Sequence, residues 1–309
     1  YYSLRGTVIS VRIINGTVKA GDVIRFMANG REYKVDEVGV FKLHKESQKQ
    51  LSAGQVGYIL AGIKTVQDTR PGDTITLRDV PASAPLPGFK EVQQVVFSSI
   101  YPIDTDEYED LATALEKLKL NDAALTFEKD SSAALGFGFR CGFLGLLHLE
   151  VIQERLEREF DISLILTVPS VQYIFHLSDG SIKHVDNPAH FPDPSHITKV
   201  EEPFIKATIL IPEKYMGVVM TLCMDRRGEN TSFHYPTPGR IELQCELPLA
   251  EVIYDFYDRL KSLTQGYGSF NYDMLDYRKS DLVKLDILVN GEIVDALSQL
   301  VHRENSRAR

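Results

Sequence analysis

The sequence predicts a multidomain protein of β and α+β class: a small β-barrel followed by two ferredoxin-like βαββαβ modules. Three observations carry that expectation. The first 80 residues hold short apolar strands between close turn signals and show no helical period. Residues 92–178 read strand, helix, strand, strand, helix, strand, and residues 201–278 repeat that order with little identity between the copies. A chain of 309 residues has room for about two to four domains.

The barrel is assigned to residues 1–88. "TVISVRIINGTVKAGDVIRF" gives a strand, an Asn15-Gly16 turn of hairpin type, and a second strand entered through Gly21-Asp22. "FMANGREYKVDEV" repeats the device at Asn29-Gly30, "QVGYILAGI" reads as a buried strand, and "RPGDTITL" sets a Pro71-Gly72 turn before the last one. The Pro-rich connector "VPASAPLPGF", 80–89, closes the domain.

The first module spans 89–178. Its opening strand is "VQQVVFSSIYP", followed by a helix with Asp104 or Thr105 as N-cap and Tyr108, Leu111, Leu115 and Leu118 on one face. Two strands follow, "AALTFEKD" and "ALGFGFRC". A second helix carries Leu149, Ile152, Leu156 and Phe160 inward and Glu150, Glu154, Glu157 and Arg158 elsewhere, and "SLILTVPSVQYIF" is the last strand. Residues 179–200 read as a loop-rich linker. In the second module, 201–278, "LAEVIYDFYDRLKSLTQG" is one helix with Val252, Phe256, Leu260 and Leu263 inward and Gly266 as its C-cap. Residues 279–309 open a further element. The start "YYSLRGTV", without methionine and already strand-like, reads as a piece of something longer.

Charge limits the partners. The net charge is −9, yet residues 1–88 hold 12 basic and 8 acidic side chains, whereas residues 89–168 hold 7 and 15. RNA phosphate can therefore be met only through local basic patches, the first domain foremost. Cys141, Cys223 and Cys245 form no CxxC pattern, which points to a reducing compartment, with Cys223 a buried thiol. No apolar run approaches the ~18–20 residues of a membrane span.

The densest motif is "AALGFGFRCGFLGLLHLEVIQERLEREF", 133–160, with glycines at 136, 138, 142 and 145. The spacing is not GxGxxG, and no Gly-Lys pair occurs, so a phosphate loop is not indicated. Two readings of the glycines remain. Phe137 and Phe139 could be stacking aromatics of an RNA-recognition strand, making this a stand-alone RNA-binding protein. Alternatively, the rings pack on one sheet face and the glycines admit close neighbours. His176, His184, His190 and His196 match no zinc spacing, and no metal site is expected. His148 stands at a helix start with no nucleophile pattern, so it reads as a packing or interface residue, and no catalytic residues are expected. Arg226-Arg227 and the cluster Arg303, Arg307, Arg309 are basic spots where phosphate contacts could concentrate.

Taken together, "NGTVKAGDVI", "RPGDTITL", the two modules, and above all "LNDAALTFEKDSSAALGFGFRCGFLGLLHLEVIQERLEREFDI" resemble the elongation factor 4 (LepA) family of translational GTPases of the elongation factor G type. "AEVIYDFYDRLKSLTQGYGSFNYD" and "LVNGEIVDALSQLVHRENS" strengthen the resemblance, which covers the whole chain. It implies that 1–88 is translation-factor domain II, 89–178 domain III, 201–278 domain V and 279–309 the start of a truncated C-terminal domain. It implies GTP and magnesium in an N-terminal domain outside this sequence, and no activity for this piece alone. The implied partners are both ribosomal subunits, through rRNA and ribosomal proteins, with tRNA reached by the C-terminal domain. The implied role is back-translocation of tRNAs, with translation fidelity or ribosome assembly under stress. The implied setting is cytoplasmic, or peripheral at the membrane, an organellar homologue included. Candidate ribosome contacts are Arg140, His148, Arg226, Arg227, His302, Arg303 and Arg307; the matching glycines are Gly136, Gly138, Gly142 and Gly145, and Asn305 also falls in the pattern.

Overall fold

A computed structural model describes residues 7–64, 68–70, 72–87, 93–122 and 124–306. The chain divides into two compact units, 1–93 with 113–125, and 94–112 with 126–309.

The described residues of the first unit hold nine short strands: β1 (Val8–Arg12), β2 (Thr17–Lys19), β3 (Val23–Phe26), β4 (Glu32–Lys34), β5 (Glu37–Phe41), β6 (Lys45–Gln48), β7 (Gln50–Ser52), β8 (Val56–Leu60) and β9 (Ile75–Leu77). They form three antiparallel sheets, β1-β8-β5-β6, β2-β7 and β4-β3-β9, around a core of Ile24, Phe26, Val38, Leu51, Ile59 and Ile63. The Asn29-Gly30 turn joins β3 to its partner β4, with Gly30 at φ 70°. Asn15-Gly16 differs from expectation. It turns the chain, but β1 goes on to pair with β8 and β2 with β7, so no hairpin forms there. Turn chemistry sets the local reversal; the apolar faces of distant strands set the pairing. Pro71 lies outside the described residues.

The second unit holds both α+β modules. The first consists of β10 (Val96–Pro102), α1 (Tyr108–Lys119, continuing into the other unit), β11 (Thr126–Ser132), β12 (Gly136–Phe143), α2 (Leu146–Phe160) and β13 (Leu164–Leu166), with sheet order β11-β12-β10-β13. Asp104 caps a short 3-10 turn ahead of α1 by accepting from the Asp106 N–H. Leu111, Leu115 and Leu118 are buried, as are Leu149, Ile152 and Leu156 of α2, whereas Phe160 is half-buried. Asp161 ends α2 in the left-handed region, its N–H on the Leu156 carbonyl.

The second module follows through β14 (Tyr173–Leu177), β15 (Ile182–Val185), β16 (Ile197–Pro212), α3 (Met216–Asp225), β17 (Glu229–Thr237), β18 (Arg240–Pro248), α4 (Leu249–Val252), α5 (Phe256–Leu263) and β19 (Ser269–Lys279). Its sheet runs β15-β14-β16-β18-β17, with β19 also paired to β16. Three expectations change here. "SLILTVPSVQYIF" is two strands, because Pro169 interrupts it: β13 closes the first sheet and β14 joins the second. Residues 179–200 are not a plain linker, since β15 hairpins onto β14 and Val185, Pro188 and Val200 are buried. The single helix expected at 249–266 breaks after Val252 and restarts at Phe256. Phe256 and Leu260 are buried, but Leu263 is 41% exposed.

The C-terminal stretch adds β20 (Leu282–Leu285), a small hairpin of β21 (Leu288–Val289) and β22 (Glu292–Ile293), and β23 (Gln299–His302), which pairs with β20. No described helix is long and apolar enough to cross a membrane.

Candidate functional site

The glycine-rich strand β12 organises a polar junction. Residues alternate across a strand, so Phe139, Cys141 and Phe143 point to one face and Gly138, Arg140 and Gly142 to the other. Phe139 stacks on Tyr108 of α1 at 5.1 Å between ring centres, and Phe143 meets His148 of α2 edge-on at 5.6 Å. That is the helix-covered face. Phe137 shares it, but lies at the strand's start, 70% exposed, with its ring 6.0 Å from Tyr108. The RNA-recognition reading needs both rings on the open face. On β12 the other face instead offers two glycines and an arginine, so neither Phe137 nor Phe139 stands on it. The glycines have a packing reason. A Cβ on Gly138 would stand 2.4 Å from the Ile100 carbonyl oxygen and 2.5 Å from the Tyr101 ring, and one on Gly142 would stand 2.6 Å from Thr126 Oγ1.

Arg140 fills that open face and is 5% exposed. Its Nη1 donates to Ser99 Oγ (3.2 Å) and its Nη2 to Ser170 Oγ (2.6 Å) and to the Asp186 carbonyl, while Nε lies 3.7 Å from the Asp186 carboxylate. Burial pulls its basicity down, opposed by Asp186 and Asp130. Ser99 and Tyr101 donate to Asp130 Oδ2 at 2.5 and 3.1 Å. Burial, then Asp130, pushes the Tyr101 hydroxyl far above its ordinary value. Asp295 extends the junction to the C-terminal stretch by accepting from Ser132 Oγ (2.6 Å) and the Ala133 N–H (3.0 Å). Arg140, expected as a ribosome contact, is therefore an internal tie between β12 and the 170–187 segment.

A second junction uses the expected basic pair. Arg227 forks onto Glu202 with Nη1–Oε1 2.7 Å and Nη2–Oε2 2.8 Å, and its Nε reaches Glu251 Oε1 at 3.3 Å. Arg226 reaches Asp255, in the break between α4 and α5, and stands 3.7 Å from Glu251. Glu202 and Glu251 are buried, and Asn305 Nδ2 donates to Glu251 Oε1 at 2.9 Å. Burial lowers the Arg227 basicity, but Glu202 outweighs it and raises it overall. The pair was expected as a basic spot for phosphate contacts. It is drawn inward because two carboxylates already inside need countercharge.

The other candidates are dispersed. His148 Nδ1 accepts the Leu144 N–H at 3.0 Å at the start of α2. Arg303 is exposed and pairs with Asp281 at 2.7 Å, while His302 is half-buried beside it. Arg307 and Arg309 lie outside the described residues. His176 pairs with Glu201 at 2.8 Å, and His184, His190 and His196 are exposed. Among the described residues no His, Cys, Asp and Glu group of three or more is placed to hold a metal. Sequence reading passed over one surface. The β5–β6 hairpin presents Lys42, Leu43, His44 and Lys45 at its tip and Lys49 just beyond, all exposed, with Leu43 94% exposed. The lysine spacing in "KLHKESQK" was its signal; only the hairpin shows that the tip carries them together.

Comparison with known proteins places these junctions in context. Residues 6–76 match the family described as elongation factor Tu domain 2, and 199–288 match the elongation factor G C-terminus. The chain is 81% identical over all 309 residues to an elongation factor 4 of Desulfotalea psychrophila, covering 52% of that protein. It is 66% identical to the elongation factor 4 of Syntrophobacter fumaroxidans over 99% of the chain and 51% of the relative. With the elongation factor 4 of Streptococcus thermophilus it shares 53% over 98% of the chain and 50% of the relative. The chain thus spans about half the length of the curated relatives it matches.

Proposed function

Because the chain belongs to the elongation factor 4 family, we propose that it is the ribosome-docking body of a translational GTPase. One observation carries the reading: the identity runs through the β unit, both α+β modules and the C-terminal stretch without a gap in coverage. GTP and magnesium are assigned to the part of such relatives outside this span, and the chain alone hydrolyses nothing. Its task is mechanical. A GTP-dependent change elsewhere is passed to the ribosome and tRNA through modules that do not flex against each other. The Arg140 tie supplies that stiffness between the first module and the 170–186 segment, and the Arg226–Arg227 cluster braces the second module internally, since breaking a buried ion pair costs about 3–5 kcal/mol.

The surface most suited to rRNA phosphate is the β5–β6 tip, with Lys42, Lys45 and Lys49, in a domain that carries 12 basic and 8 acidic residues. Arg303, exposed in the C-terminal stretch, is the residue we assign to tRNA phosphate. Ribosomal proteins of both subunits complete the partner set. The cellular outcome is back-translocation of tRNAs, supporting fidelity or ribosome assembly under stress, in the cytoplasm or peripherally at the membrane.

The test is competition. Fluorescently labelled chain is bound to vacant ribosomes and titrated with a full-length elongation factor 4. Displacement at a concentration set by the competitor's own affinity supports the reading. Simultaneous binding of both rejects it.

A further inference from the structure

Asparagine stands directly before glycine at Asn15-Gly16, Asn29-Gly30 and Asn290-Gly291. Glycine has no Cβ, so its backbone nitrogen is the least shielded nucleophile that can follow a side-chain carboxamide. The structure separates the three pairs. At Asn29 both reacting groups are held. Its Nδ2 donates to the Asp68 carbonyl at 2.9 Å, its Oδ1 accepts the Arg31 N–H at 3.0 Å, and the Gly30 N–H donates to the Phe26 carbonyl at 2.8 Å. At Asn15 the backbone on either side is fixed: the Ala53 N–H donates to the Gly16 carbonyl at 3.0 Å and the Gly54 N–H to the Ile13 carbonyl at 2.8 Å.

Asn290 is the open one. It and Gly291 are exposed, and among the described residues neither its carboxamide nor the Gly291 N–H has a hydrogen-bond partner. The two form the turn between β21 and β22, with φ of 53° and 85°. That turn must open before the Gly291 nitrogen reaches the Asn290 carboxamide carbon, and little resists the opening. The hairpin holds the pairs Leu288–Ile293 and Val289–Glu292, closed at its base by the Val294 N–H on the Ile287 carbonyl at 3.0 Å. Leu288, Val289 and Ile293 are each more than half exposed, so no buried face binds the two strands to the rest of the fold. A hairpin this short is marginal by itself and opens locally at small cost.

We propose that Asn290 is a self-modification site, converted through a cyclic imide to aspartate and isoaspartate with water as the only co-reactant. The Gly291 backbone nitrogen attacks Asn290 Cγ. The N–C bond forms, the Cγ–Nδ2 bond breaks, and the carboxamide nitrogen leaves as ammonia, carrying the proton that the Gly291 nitrogen gave up. Water then adds to either imide carbonyl. Opening at Cγ restores the backbone and leaves aspartate; opening at the main-chain carbonyl leaves isoaspartate. A water is consumed, an ammonia is released, and nothing is oxidised or reduced. Both products add a negative charge to a chain already at −9. Isoaspartate also puts an extra methylene into the main chain, which a two-residue turn cannot absorb while Val289 stays opposite Glu292. Conversion therefore unmakes the β21–β22 hairpin of the C-terminal stretch.

Asn29 provides the internal reference, because it shares the Asn-Gly sequence and differs in its hydrogen bonds. The folded full chain is incubated in heavy-oxygen water at neutral and mildly alkaline pH, digested and read by mass spectrometry. The expected products are aspartate and isoaspartate forms of the Asn290 peptide carrying the heavy oxygen, formed faster at the higher pH because the attacking nitrogen must lose its proton. Three hydrogen bonds must break before Asn29 reacts, so Asn290 should convert at least about tenfold faster than Asn29. In the urea-unfolded chain those bonds are gone, and the two sites should convert at comparable rates. Asn290→Gln should abolish the labelled product at that peptide. Conversion of Asn290 no faster than Asn29 in the folded chain overturns the proposal. So does an Asn290 that stays intact when folded and reacts only in urea.

Discussion

Replacing Arg140 by methionine separates a structural from a contact role. The variant keeps most of the side-chain volume and removes the charge and every donor. Asp186 loses its ion partner, Ser99 and Ser170 lose a donor each, and the Asp186 carbonyl loses its charged partner. Breaking a buried pair costs about 3–5 kcal/mol. The Asp186 side chain keeps 21% of its surface in water, which recovers part of that, so the lower end, about 3 kcal/mol, is expected. Urea unfolding followed by circular dichroism reads it directly. The midpoint of the transition reporting the second unit should fall, with its slope unchanged. A loss under about 1 kcal/mol, coupled with weakened ribosome binding by the folded variant, would refute the internal-tie reading and return Arg140 to the surface.

Three further outcomes follow from the same geometry. Phe139→Ala should cost about 3–5 kcal/mol in the same urea experiment, and Phe137→Ala under about 1 kcal/mol, with short single-stranded RNA bound by neither parent nor variant. Gly138→Ala forces its methyl against the Ile100 carbonyl and Tyr101 ring, a loss of about 1–3 kcal/mol visible as a lowered melting temperature. Asp295 tests pH. Burial alone would raise its carboxyl, but the Ser132 hydroxyl and the N–H groups of Ala133 and Ala296 outweigh it and hold it below the ordinary value. Its contribution is thus complete above the unfolded value of about 3.9 and lost as pH falls through the lower folded one. Asp295→Asn should flatten the acid limb of melting temperature against pH between about pH 4 and 2; an unchanged limb counts against the Asp295 clamp.

The sequence disclosed what rests on periodicity. Leu111, Leu115, Leu118, Leu149, Ile152 and Leu156 are buried where the helical pattern put them, and the strand order of both modules stands. It did not disclose what depends on distant partners. Nothing local says that Arg226 and Arg227 turn inward, because Glu202 and Glu251 lie 24 or more residues away in the chain. The same holds for Arg140, whose partners come from β10 and from 170–186. The alternation in "GFGF" put Phe137 and Phe139 on one sheet face, but not which face the helices cover, so the stacking and packing readings both stood. The break at Ile253–Asp255 was not readable, since the apolar period runs straight through it.

Co-sedimentation with vacant ribosomes across a salt series tests the central claim most directly, with a short single-stranded RNA as the parallel ligand. Docking through scattered phosphate contacts predicts ribosome binding that weakens steeply with salt and no pelleting shift with the short RNA. Lys42→Glu with Lys45→Glu should reduce the salt slope by about two. Salt-independent association, or tight binding to the short RNA, would contradict the account.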